Sequence, residues 1–280
     1  MNPKINNMIR GYEASKYELF LISDSSIRMS EDGLTDMALR MTKGVGLVQQ
    51  MPFTCDRPGF VGSLEKIFFG TFHAKMYLAA NFLGINCAVG MSTLFRKKII
   101  EAAGGLAAFG KYLAEDYFLT RAVMDSGHTV SLCGQVASQN SGKYSFGSFQ
   151  DRLVRWAKLR AATVVTTAIL EPPYQCFLQG LIMARVVQYL FSWSPLTFFM
   201  VHVLVWFLLD WILLTVIQQG PLPFSKLEFL VGWLVNESCY LPIAIRSMWN
   251  PEVTWRGRRY KMRWGGLATD VTEKPRMEDS

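Results

Sequence analysis

Cysteine is scarce and unpatterned. The five residues Cys55, Cys87, Cys133, Cys176 and Cys239 show neither paired nor metal-type spacing, and an odd number cannot all pair within one chain. A disulfide framework and a cysteine-ligated zinc centre are therefore excluded as organising principles, and the thiols read as reduced and mostly structural. A cleavable leader is also missing: MNPKINNMIRGYEASKYELFLISD holds no apolar core ahead of a small-residue cleavage site. This absence predicts that the soluble part faces the cytosol. Repeats and low-complexity tracts are lacking, and only the tail after about Ala268 has the composition of a disordered segment. Net charge is modest at +7, and its densest clusters, Arg152 to Arg160 and Arg256 to Arg263, flank an apolar region. That placement suits lipid headgroups or a solvated surface better than nucleic acid.

What the chain does have is apolar weight, unevenly spread. Half of its 280 residues are hydrophobic, and their density rises sharply after about residue 161. Three stretches there, Pro173 to Phe191, Pro195 to Ile217 and Phe229 to Trp249, approach the roughly 20 residues that cross a bilayer as a helix. The middle one is the best span. The first opens on Glu171-Pro172-Pro173 and carries Arg185, so it either crosses or lies in the interface as an amphipathic helix. Two crossings keep the basic RGRRYKMR segment on the starting side; three move it across, against the positive-inside tendency.

The front of the chain alternates short apolar runs with amphipathic ones. Strands are predicted at Tyr17–Ser23, Val45–Pro52, Cys87–Phe95 and His128–Cys133, and helices at Ser30–Met41 with Ser30 as N-cap, Ser63–Phe82, from Lys97 to a Gly104-Gly105 turn, and Ala114–Ser126. Such alternation builds an α/β layered domain. The expected division is a catalytic-type α/β unit over 1–160, a helical membrane-associated region over 161–255 with two or three spans, and a basic then polar tail over 256–280.

Three elements carry chemistry. Asp24 in SDSS sits at a strand's carboxyl end, the edge where open α/β sheets bind ligands. Glu115-Asp116 in LAEDYF opens a helix, where a carboxylate is electrostatically favoured. QDRLVRW supplies Arg152, Arg155 and Trp156 immediately before the apolar region. Each alone has a plainer reading, as a turn residue, a helix-dipole partner and an interfacial anchor respectively.

Their order and spacing resemble the family 2-like, GT-A-fold inverting glycosyltransferases of the processive and lipid-acceptor branch, which carry three successive aspartate motifs and then Q/R-x-x-R-W before membrane helices. Asp24 matches the second aspartate, Asp116 the third, and Arg152, Arg155 and Trp156 the final motif. The strings NPKINN, LTDM, AEDYF, QNSG and FSKLE narrow the resemblance to ceramide glucosyltransferases over nearly the whole chain. The family's anchor helix and first aspartate have no counterpart here, so the resemblance implies a GT-A-like mixed sheet incomplete at its amino terminus, and a chain inactive by itself.

The resemblance further implies transfer of glucose from UDP-glucose to the primary hydroxyl of ceramide with inversion, at the cytosolic face of a multi-pass Golgi membrane protein. Asp116 is then the catalytic base. Asp24 is the carboxylate for Mg²⁺ or Mn²⁺, since hard cations bridge carboxylate and diphosphate oxygens. SDSS lacks the second carboxylate of a full DxD, which leaves Ser26 at most a supporting role. Arg152 and Arg155 would meet diphosphate oxygens and Trp156 the acceptor. Lys4 would belong to the donor site or be solvated, and His73 and Cys87 would lie on the acceptor side or simply pack. Two alternatives stand beside this reading: a processive polysaccharide synthase of the same fold, and a non-catalytic membrane scaffold.

Overall fold

The computed structural model describes residues 2–88, 90–140, 142, 145–166, 171, 174–255 and 257–272. Ser141 of QNSG, Pro172-Pro173, Arg256 and the tail from residue 273 lie outside them.

The architecture is a mixed α/β unit followed by long helices and a small antiparallel sheet. The chain opens on α1 (Pro3–Ala14), capped by Asn2, whose side chain accepts the Lys4 amide hydrogen. Strands β1 (Leu19–Ser23), β5 (Ser92–Arg96), β3 (Val45–Gln49) and β6 (Thr129–Leu132) lie side by side in that order, antiparallel except for β3 with β6. A second sheet sets β7 (Ala137–Gln139) between β2 (Ile27–Arg28) and β4 (Pro52–Thr54). The helices α2 (Gly33–Arg40), α5 (Lys97–Ala102) and α6 (Glu115–Asp125) connect these strands. Ile5, Leu47, Phe95, Ile100, Leu119 and Val123 close one core around them.

A continuous helical rod, α3 (Phe60–Phe68), a π-helical turn (Phe69–His73) and α4 (Ala74–Leu83), runs from the α/β unit toward the apolar helices. Next come α7 (Phe146–Thr163), α8 (Cys176–Phe191), α9 (Pro195–Gln218) and α10 (Lys226–Trp249). Among the described residues one helix, α9, is long and apolar enough to cross a membrane, with a mean hydropathy of 2.2 over its best window. Its one acidic residue, Asp210, is buried, pairs with Lys75 at 2.8 Å and accepts the Trp233 indole hydrogen at 2.9 Å. Such partners are what an ionisable group among apolar helices needs. Phe53, Leu64, Ile67, Phe69, Leu214, Phe229 and Trp233 join both parts in one core.

The structure shifts several predicted boundaries. Helix α2 begins at Gly33, because Ser30 is used in a turn that accepts the Gly33 amide hydrogen at 3.0 Å. The run Val45–Pro52 splits into β3 and β4, which belong to different sheets, and the second starts on a proline, which has no hydrogen to donate. The strand expected over Cys87–Phe95 is confined to Ser92–Arg96. Beyond the apolar helices, β8 (Glu252–Trp255), β9 (Arg258–Met262) and β10 (Ala268–Asp270) form an antiparallel sheet, whose Val253, Tyr260 and Met262 bury against Leu113; of the segment expected to be disordered, Ala268–Asp270 is strand. All five cysteines are free.

Candidate active site

One group of side chains gathers where β1 and α6 end and begin. Asp24 follows β1, its amide donating to the Met91 carbonyl at 2.9 Å. Lys4, in the first turn of α1, reaches across to it: Lys4 Nζ lies 3.0 Å from Asp24 Oδ1 and 3.3 Å from Glu115 Oε1, and donates to the Gly90 carbonyl. Glu115 is buried, and its second oxygen accepts from Asn2 Nδ2 at 2.8 Å. Asn2 thus caps α1 and orients the pair at the start of α6 together. Asp116, partly buried, accepts its neighbour Tyr117 amide hydrogen at 2.9 Å.

Gly90 is there for space. A Cβ at that position would lie 2.8 Å from Asp116 Oδ2 and 3.2 Å from Lys4 Nζ, so any side chain would fill the gap between the aspartate and the lysine.

Electrostatics follow from three carboxylates and one ammonium in a confined space. Burial alone would lower the Lys4 pKa, but Glu115, Asp24 and Asp116 together outweigh it and hold the ammonium above its usual range. Burial pushes Glu115 up to about 7 and raises Asp116 as well, and Lys4 opposes both shifts. Asp116 is therefore a better proton acceptor than a solvated aspartate.

The second group lies on α7. Arg152 donates to Glu65 Oε1 at 2.9 Å and to Gln139 Oε1, and its guanidinium sits 4.4 Å from the Trp156 ring centroid. Glu65 is fully buried and also pairs with Arg57. The structure thus commits Arg152 to a protein carboxylate. Arg155, one turn on, is partly buried beside Arg152, which together with desolvation lowers its pKa; among the described residues it makes no ion pair or hydrogen bond. Of the motif's two guanidinium groups, it is the one without a carboxylate partner among the described residues.

Trp156 stacks on His73 at 5.8 Å between ring centroids, with 22° between planes. His73 is 4% exposed, and its Nδ1 has no hydrogen-bond partner among the described residues. Burial first, then Arg160 and Arg152, hold its pKa well below 6.5, so it is neutral. Tyr77 and Cys87 link the two groups. Both feel the negative field of Asp116 and the positive field of Arg160, and burial pushes the Cys87 thiol up to about 12, which makes it an inert packing thiol.

Residues 1–268 match the family model described as Glycosyl transferase family 21. The chain belongs to that family. This family 21 chain is 41% identical to ceramide glucosyltransferase 1 of Caenorhabditis elegans and 39% identical to ceramide glucosyltransferase 3 of the same organism, each over 95% of this chain. It spans 58% of the length of each of those relatives. A looser likeness connects it with a solved mannosyltransferase, PcManGT from Pyrobaculum calidifontis in complex with GDP-Man and Mn2+, at 14% identity and a TM-score of 0.41 over 89% of this chain and 67% of that one. At that level it does not bear on the chemistry.

Of the residues singled out in the sequence of this family 21 protein, Lys4, Asp24 and Asp116 come together around Gly90, and His73, Arg152 and Trp156 come together on the face of α7. Sequence reasoning missed Glu65, the buried anchor of Arg152, and Asn2, the organiser of Glu115. The only signal for Glu65 was a charged pair, Glu65-Lys66, inside a stretch otherwise suited to a core helix. Both residues are buried, and Lys66 pairs with Asp56 at 2.8 Å.

Proposed function

We propose that this family 21 protein transfers glucose from UDP-glucose to the primary hydroxyl of ceramide with inversion at the anomeric carbon, at the cytosolic face of the Golgi membrane. The observation that carries the proposal is the convergence of Asp24 and the Glu115-Asp116 pair on Lys4 beside the open space at Gly90. The names of its relatives support the choice of acceptor and sugar.

In this reading Asp116 takes the proton of the acceptor hydroxyl as its oxygen attacks the anomeric carbon. The bond from that carbon to the diphosphate oxygen breaks, and the electron pair leaves with UDP. A single displacement of this kind inverts configuration. Lys4 and Arg155 offer positive charge to the departing diphosphate, and charge preorganised in a confined site acts more strongly than in water. The raised proton affinity of Asp116 matches the base's task at near-neutral pH.

The residues present fit a divalent cation of the Mg²⁺ or Mn²⁺ type. Asp24 is a hard oxygen donor with its side chain 35% exposed, and such ions are commonly held by one or two carboxylates completed by substrate phosphates. When bound, the ion would neutralise diphosphate charge. Asp24 would hold it, after exchanging Lys4 for the metal.

Asp116→Asn tests the proposal. It should lower transfer by roughly 10² to 10⁴-fold while leaving UDP-glucose binding unchanged. Transfer near the wild-type rate in that variant would refute Asp116 as the base.

A further inference from the structure

α7 and α10 leave an apolar cleft between them, against the rod formed by α3 and its π-helical turn. Its volume is about 530 Å³ including the open mouth, and its walls include Phe68, Phe72, Trp156, Tyr240, Ile243 and Ala244. A neighbouring recess of about 480 Å³ shares Phe68, Phe72, Tyr240 and Ile243 with it, so the apolar surface continues along α10.

The polar groups of the wall are tied to one another. Arg160 Nε lies 3.2 Å from Glu171 Oε1, and the Tyr240 hydroxyl donates to Glu171 Oε2 at 2.7 Å. The buried Arg160 Nε nonetheless makes no aligned hydrogen bond among the described residues. Its positive field reaches His73, Tyr77 and Cys87, and the last two also feel Asp116. Arg160 thus lines the cleft and acts electrostatically on the residues that also feel the catalytic carboxylate. Trp156 joins the two, since it lines the cleft and stacks on His73.

We infer that this cleft holds one hydrocarbon chain of the lipid acceptor, with Arg160 and Tyr240 as acceptor-positioning residues at its polar part. The inference rests on the proposed transfer to ceramide. Two observations select a hydrocarbon chain as the occupant. The cleft is continuous with the site through Trp156, and the neighbouring helices present a broad apolar exterior, including Leu181, Leu204, Leu208, Leu230 and Leu234, from which a chain can slide in without meeting water. The unfilled Arg160 N–H is a donor for an acceptor oxygen, and burying the chain along Ile243 and Ala244 supplies the binding energy.

Photo-crosslinking tests the cleft independently of turnover. The protein in phosphatidylcholine nanodiscs is photolysed with a ceramide carrying a diazirine in its acyl chain. Label is expected on α7 and α10 peptides that line the cleft, displaced by unlabelled ceramide but not by added phosphatidylcholine, and strongly reduced in Ala244→Trp. Label confined to other helices, equal displacement by both lipids, or labelling unaffected by the plug would overturn the inference. The last two outcomes mark the groove as a site for bulk membrane lipid. Ala244→Leu, a smaller plug, should give an intermediate loss and guards against misfolding of the tryptophan variant.

Kinetics supply a second readout. Ala244→Trp should lower kcat/KM for a hexadecanoyl acceptor by roughly 10- to 100-fold and for a hexanoyl acceptor far less, because only the longer chain loses buried methylenes. Arg160→Gln should raise the acceptor KM and leave the donor KM alone, with partial rescue in Arg160→Lys. Equal losses for both chain lengths, or a change in donor KM only, would overturn the assignment. A wild-type protein that labels in the cleft but transfers to no ceramide would refute the proposed activity and leave the lipid site standing.

Discussion

Lys4 is the residue that holds the carboxylates of the candidate site together. It holds Asp24 and Glu115 within 3.3 Å and depresses the proton affinity of both Glu115 and Asp116. The sign of its effect on catalysis follows. With Asp116 as the proposed base, kcat/KM should rise with pH through its pKa, and burial puts that rise above the ordinary aspartate value of 3.8. Lys4→Met removes a positive charge that favours the carboxylate, so the acid limb of the pH profile should move to higher pH. A limb that stays in place or moves down would separate Lys4 from the base. Arg155 is tested by donor affinity. Because a charged hydrogen bond contributes about 1.5–3 kcal/mol, Arg155→Ala should raise the UDP-glucose KM by roughly 10- to 100-fold with little effect on the acceptor KM. An unchanged donor KM would assign it to membrane anchoring.

At the scale of elements, the helical rod from Phe60 to Leu83 organises the face where His73 meets Trp156. Its π-helical turn adds a residue to the turn and sets His73 against Trp156, and Gly70 within it packs against Leu214 of α9 with no room for a side chain. Glu65, one turn before the π segment, ties the rod to α7 through Arg152 and to the loop before the rod through Arg57. Glu65→Gln leaves two poorly solvated guanidinium groups without their carboxylate and should destabilise the protein by roughly 3–5 kcal/mol, since breaking one partner of a buried pair strands the other charge. The thermal unfolding midpoint checks this, and a shift of only a degree or so would show that Gln139 alone holds Arg152.

Across the whole molecule, the carboxyl-terminal sheet returns to the α/β unit. The Gly265 and Gly266 amides both donate to the Ala162 carbonyl at 3.1 Å, and Tyr112 pairs with Leu267. Tyr112 and Leu113 lie just before α6, which carries Asp116, and Ala162 lies at the end of the helix that carries Arg155. The sheet therefore braces both motif-bearing elements, which predicts that it lies on the same side of any membrane as Asp116. In sealed vesicles, Thr269→Cys and the exposed Lys98→Cys should react with a membrane-impermeant maleimide to the same extent, measured over the native cysteines. Protection of the Thr269 position alone would contradict that arrangement.

Much of this was readable along the chain. Asp24, Asp116, Arg152, Arg155 and Trp156 stand out because chemistry requires those residue types, and the α/β alternation and the span Pro195–Gln218 follow from hydrophobic periodicity, which is local. The boundaries of α2, β3 and β4 were not readable, because a turn at Ser30 and a change of sheet at Pro52 depend on which surfaces the segments bury. Neither was the pairing of distant groups. Lys4 lies 86 positions from Gly90, Glu65 lies 87 from Arg152, and Ala268–Asp270 at the start of the tail pair with β9 in a sheet that covers Leu113. By itself the sequence singled out the residues of the candidate site and determined which helix was apolar enough for a membrane. Only the tertiary structure decided that Arg152 is spent on Glu65 while Arg155 is not, and that Asp116 shares a buried site with Lys4. Desolvation and charge pairing are set by neighbours in space, and no local pattern encodes them.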